Sequence, residues 1–161
     1  MSETSDRPAA TAGLSIQREC ESGSLPNDED VRRFAAAALA ELDDPVLNLR
    51  IVDEPEGRAL NERWRGRDYA TNVLSFPADL PEGTGIKLLG DIVLCAPVLE
   101  REAAEQGKSI RAHFAHLLIH GILHLRGFDH MSAEQAEVME SREIRLLADL
   151  GIGNPYLTHD K

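Results

Sequence analysis

The chain has 161 residues and a formal net charge of −11, which is length for one domain with a full core and too much negative charge for a general nucleic-acid binder, because phosphate contacts supply most non-specific affinity. Cys20 and Cys95 lie far apart and form no C-x-x-C pair, so neither a disulfide framework nor a thiolate metal site is indicated. The apolar runs are short and interrupted by charge, and the amino terminus lacks a basic start and an apolar segment; the expectation is a cytoplasmic protein with no membrane association.

Residues 1–12 are small, polar and aperiodic, which reads as a flexible tail before a single domain over 13–161. Leu14, Ile16, Arg18 and Cys20 alternate with polar neighbours as a first strand, ended by Ser22-Gly23-Ser24 and Pro26. Asn27 or Asp28 then caps a helix whose apolar positions, Val31, Phe34, Ala35, Ala38, Leu39 and Leu42, recur at helical spacing up to Asp43-Asp44-Pro45. Leu47, Leu49 and Ile51 alternate as a second strand. Pro55 opens a short helix through Leu60 and Trp64, a loop follows at Gly66 to Thr71, and a third strand spans Asn72 to Phe76, with Val73, Leu74 and Phe76 expected in the sheet. A Pro- and Gly-rich loop at 78–85 leads to a fourth strand, about Leu88 to Cys95, apolar on both sides of Asp91 as a central strand would be. Pro97 starts another helix ending near Gly107. Ser109 caps a histidine-bearing helix, and residues 133–150 form a last amphipathic one through Val138, Met139, Ile144, Leu147 and Leu150. The sum is a sheet of about four strands covered by about five helices.

The run HGILHLRGFDH carries the chemistry. His120 and His124 are four apart, so on a helix their Cβ atoms stand roughly 5–6 Å apart on one face. Gly127 offers a left-handed residue that ends the helix and turns His130 back toward the same point. Three neutral imidazoles around one Zn²⁺ leave its fourth position open, as a catalytic zinc requires. His116 also precedes His120 by four, but residues 116 and 124 are roughly 12 Å apart along a straight helix, too far to share an ion. His113 and His116 are left as supporting, surface or substrate-facing groups, and Asp129 as a carboxylate that orients an imidazole or bonds the turn's amides. Arg58, Arg63, Arg65 and Arg67 cluster beside Trp64 and Tyr69 in a stretch, 45–77, where acids and bases balance. Their guanidinium forks suit phosphate oxygens. Zincin-type peptidases place a general-base Glu after the first His; here that position is Gly121, which demotes peptide hydrolysis.

These features together resemble the bacterial YbeY family, zinc-dependent endoribonucleases of rRNA maturation. The resemblance rests on the His120–His130 signature, Thr71–Pro77 (TNVLSFP), Leu89–Ile92 (LGDI), His113–Leu117 and Pro155-Tyr156, with Ala70 departing from a proline frequent before the Thr. It implies an α+β fold with a small mixed four-stranded sheet and a zincin-like metal helix. It also implies one Zn²⁺ on His120, His124 and His130, and a catalytic role for Arg65. Arg63, Arg67, Asn72, Ser75 and His116 are the expected substrate contacts. The implied substrate is single-stranded RNA, in particular the small-subunit rRNA precursor, and the implied partners are the ribosome and assembly factors such as the GTPase Era. Another zinc hydrolase, acting on peptides or small phosphoesters, and a non-catalytic assembly factor using zinc for rigidity stay open on the residues alone.

Overall fold

The computed structural model describes residues 13–78 and 88–157. The expected tail at 1–12 and nearly all of the expected loop at 78–85 lie outside the described residues. In chain order the elements are β1 (Gly13–Glu19), α1 (Asp28–Leu39), β2 (Val46–Val52), α2 (Glu54–Arg65), β3 (Val73–Pro77), β4 (Leu88–Cys95), α3 (Ala96–Gln106), α4 (Ile110–Leu125) and α5 (Ala133–Asp149). The four strands form one sheet in the order β1-β2-β4-β3. β1, β2 and β4 are parallel, whereas β3 runs antiparallel to β4, so the sheet is mixed and β3 occupies an edge. The fold is α+β, as expected.

Local chemistry starts the helices. Asn27 accepts from the Asp30 amide at 2.8 Å, Ser109 from Ala112 at 3.0 Å and Ser132 from Gln135 at 3.1 Å, each worth about 1 kcal/mol as an N-cap. α2 ends in Gly66, whose φ of 70° is the left-handed conformation that glycine adopts without steric cost. α1 stops at Leu39, earlier than the spacing through Leu42 suggests, because the Leu42 amide turns back tightly to the Leu39 carbonyl.

α4 is the axis of the molecule. Phe114, Ala115, Leu117, Leu118, Ile119, Ile122 and Leu123 are all buried, so apolar groups point from every side of it. It packs against β3 and β4 and against α1, α3 and α5. The main core lies between the sheet and α1, α4 and α5, with Phe34, Leu49, Ile51, Ile92 and Leu147 among its members. A smaller cluster, Val52, Leu74, Val93, Cys95 and Val98, lies beneath Leu60 of α2. Cys95 is a buried free thiol and Cys20 a half-buried one. Val138, expected on the apolar stripe of α5, is instead exposed. No helix among the described residues is long and apolar enough to cross a membrane.

Candidate metal centre and its cleft

His120 and His124 lie where α4 leaves the core, and both are half-buried. The helix ends in a Schellman turn: the Gly127 amide bonds the His124 carbonyl at 3.1 Å and the Phe128 amide bonds the Leu123 carbonyl at 3.0 Å. Gly127 makes this possible with a φ of 104°, and Phe128 packs against the core to anchor the return. Asp129 then accepts from the His130 backbone amide at 2.7 Å, while its carboxylate stays 3.8 Å from the His130 ring nitrogen. Of the two roles open to Asp129, the structure shows the amide bond.

The return sets the His130 ring centroid 5.6 Å from that of His120 and 6.3 Å from that of His124, each pair nearly perpendicular. All three imidazoles line one cleft of about 250 Å³, faced by Arg65, Arg67, Tyr69 and Ser75. They surround the cleft without closing on a point. Among the described residues no three His, Cys, Asp or Glu side chains already stand as a metal-holding cluster.

The donor set nonetheless suits a borderline cation such as zinc, because one ligand candidate is fixed from behind. His120 Nδ1 lies 2.6 Å from Glu143 Oε2 and donates to that carboxylate; in a neutral ring this tautomer leaves the Nε2 lone pair for a metal, and carboxylates commonly set metal-binding imidazoles in this way. His124 Nδ1 is buried with no hydrogen-bond partner.

Glu143 is fully buried on α5. Its Oε1 also accepts from His116 Nε2 at 3.1 Å and from the Tyr156 hydroxyl. Burial pushes this carboxyl up, but the hydrogen bonds from His116, His120 and Tyr156 outweigh it and hold the group down at about 2. Burial and the neighbouring Glu143 carboxylate push the Tyr156 phenol above its ordinary range. At neutral pH a charged carboxylate therefore stands behind His116 and His120. Neither Glu143 nor Tyr156 was assigned a site role from sequence. A signal did exist: Met139, Glu143 and Leu147 recur every four residues, and all three are buried.

The opposite wall comes from α2 and β3. Gly121 sits deep in α4, where an added Cβ would lie 3.2 Å from both Ser75 Oγ and Ile92 Cδ1. Glycine thus lets the edge strand lie directly against the histidine helix. Arg65 Nη2 donates to the Ser75 carbonyl at 3.1 Å, tying the end of α2 to β3 within this wall. Asn61 is buried, and its side chain donates to the Tyr69 carbonyl at 2.7 Å, which shapes the loop between them.

Three of the expected substrate contacts lie elsewhere. His116 is buried behind His120 and is spent on Glu143 and Tyr156. Asn72 donates to Glu102, which also pairs with His113 Nε2 at 2.9 Å, so these residues bind β3 to α3 and α4. Burial pushes His113 below its ordinary value despite that carboxylate. Arg63 lies against the Trp64 ring, outside the cleft lining. Arg65, Arg67 and Ser75 do line it.

A sequence model of the Endoribonuclease YbeY family matches residues 17–151. Among similar proteins, an Endoribonuclease YbeY from Xanthomonas axonopodis pv. citri is 58% identical over 137 residues, covering 82% of this chain and 85% of its own. One from Stutzerimonas stutzeri is 54% identical over 146 residues, 89% of this chain and 91% of its own. The solution structure of TM1509 from Thermotoga maritima is similar at a TM-score of 0.56 and 25% identity, covering 89% of this chain and 99% of that one. The family match runs from the end of β1 through α5 and takes in the histidine helix, its Gly127 return and the facing strand: the chain belongs to the YbeY endoribonuclease family.

Proposed function

We propose that the protein is a metal-dependent endoribonuclease that cuts single-stranded RNA, with one Zn²⁺ held by His120, His124 and His130. The observation that carries this reading is the meeting of three imidazoles with Arg65 and Arg67 across a single cleft, which pairs a donor set for a cation with groups for a phosphate. When bound, zinc acidifies a coordinated water toward a pKa of about 7 and supports its attack on a phosphodiester. Glu143 keeps the His120 proton on Nδ1. Arg65, oriented by the Ser75 carbonyl, neutralises charge that builds on the phosphate, a contribution typically worth about 10²–10³ in rate. Gly121 counts against a peptidase, since it leaves the position after the first histidine without the general-base carboxylate of zincin peptidases.

The proposed biological substrate is the small-subunit rRNA precursor, in the cytoplasm, with the ribosome and assembly factors such as Era as partners; the family membership supports this. The test compares wild type, His124→Ala and Arg65→Glu on single-stranded and duplex RNA, with bound metal measured by mass spectrometry. The reading expects cleavage of the single strand by wild type, loss of metal and activity in His124→Ala, and retained metal with weak activity in Arg65→Glu. Equal activity in all three would refute it. Absence of nuclease activity in metal-loaded wild type, with ribosome binding intact, would indicate a non-catalytic assembly factor. Products ending in 2′,3′-cyclic phosphate would replace water by the ribose hydroxyl as nucleophile.

A further inference from the structure

Trp64 and Tyr69 are 57% and 52% exposed, and the proposed chemistry uses neither ring. Trp64 is the chain's single tryptophan. It sits in the last turn of α2 beside Arg65 and meets the Phe76 ring edge to face, with centroids 6.2 Å apart. The Arg63 guanidinium lies 5.2 Å from the indole centroid. Tyr69 belongs to the cleft lining itself, next to Arg67.

Charge selects the class of ligand for these rings. In a chain of net charge −11, this corner collects Arg63, Arg65 and Arg67, none of which has a carboxylate partner among the described residues, whereas Arg58 nearby is paired with Asp68. Flat aromatic faces set among guanidinium groups that meet no carboxylate among the described residues suit a single-stranded nucleic acid, whose bases stack while its phosphates meet the cations. A duplex keeps its base faces covered and gains nothing from such rings.

Resting on the endoribonuclease reading, we propose that Trp64 and Tyr69 form a base-stacking subsite on the arginine side of the cleft, binding nucleobases that flank the nucleotide at the histidines. The subsite makes the preference for unpaired RNA a property of binding. It tolerates any base, because each presents a π face.

The lone indole reports on its own occupancy. The full-length protein is titrated with a single-stranded oligoadenylate decamer carrying phosphorothioate linkages, and with an abasic decamer of the same length and charge, while Trp64 fluorescence is followed. The expected result is strong quenching by the first and little by the second. Fluorescence anisotropy of a labelled decamer should show Trp64→Ala binding about 5- to 100-fold more weakly, with Trp64→Phe recovering most of the affinity. Exposure of the ring means that truncation spares the fold, and the wild-type titration needs no variant. Equal quenching by both decamers, or unchanged affinity in Trp64→Ala, overturns the subsite. An indole that responds to neither, in a protein that still cleaves single-stranded RNA, also overturns it, leaves the nuclease reading standing and turns the aromatic pair toward a protein partner. Base-dependent quenching without any cleavage would keep the subsite and sink the nuclease reading.

Discussion

The two walls of the cleft are built on opposite plans. The histidine wall stands on α4, a helix buried on every side, and is fixed from behind by a fully buried Glu143 held by two histidines and a tyrosine. The arginine wall stands on the exposed end of α2 and on an edge strand, joined by the Arg65 bond to the Ser75 carbonyl and the contact of Trp64 with Phe76. On the proposed reading, the two helix-borne histidines that would hold a metal ion rise from a packed core, whereas the guanidinium groups that would meet a flexible polymer stand in solvent. The two walls should therefore fail differently when altered.

Substituting His124 by Ala should remove metal binding and abolish cleavage while shifting the melting temperature of the metal-free protein by only a few degrees, because the side chain is half-buried and its buried Nδ1 has no hydrogen-bond partner among the described residues; calorimetry and a gel cleavage assay check both halves. Arg65→Glu should cost about 10²–10³ in cleavage rate with metal content unchanged. A loss of metal in that variant would mean that the walls are not independent. Glu143→Ala should cost about 3 kcal/mol of stability, since it strands the buried His116, takes a partner from the half-buried His120 and from Tyr156, and opens a cavity, and a chain of this size would then melt about 6–12 °C lower. Zinc affinity should fall with it.

Acid sharpens the contrast. Glu143 is depressed from 4.5 to about 2, so its contribution to stability is complete above pH 4.5 and is lost as the pH falls from there toward 2. Urea unfolding of the metal-free protein across pH 2–6 should show that limb, and Glu143→Gln should flatten it. The smallest effect belongs to Arg58→Ala on the exposed outer face of the arginine wall, where the pair with Asp68 is solvent-facing and neither stability nor cleavage should change measurably.

The histidine run was legible in sequence because helical spacing, a serine cap and a glycine return act within a few residues of one another. The strands were legible for the same reason, and so were the starts of α1 and α4, where Asn27 and Ser109 cap the first turn. Pairings between distant segments were not. Glu143 lies 23 residues from His120, and only its place on a buried stripe betrays it. His116 has the same spacing to His120 that His124 has, and periodicity alone cannot say which of the two meets a carboxylate and which meets the cleft. Asn72 sits just before an edge strand that pairs with β4, the next strand in sequence, but its own side chain ties to Glu102 of α3. Such outcomes depend on the order β1-β2-β4-β3, which no local pattern specifies.

X-ray absorption at the zinc edge of the loaded protein bears most directly on the account. Three imidazole nitrogens at about 2.0–2.1 Å with one light oxygen scatterer are predicted. A sulfur neighbour, a fourth imidazole, or a spectrum unchanged in His130→Ala would contradict it.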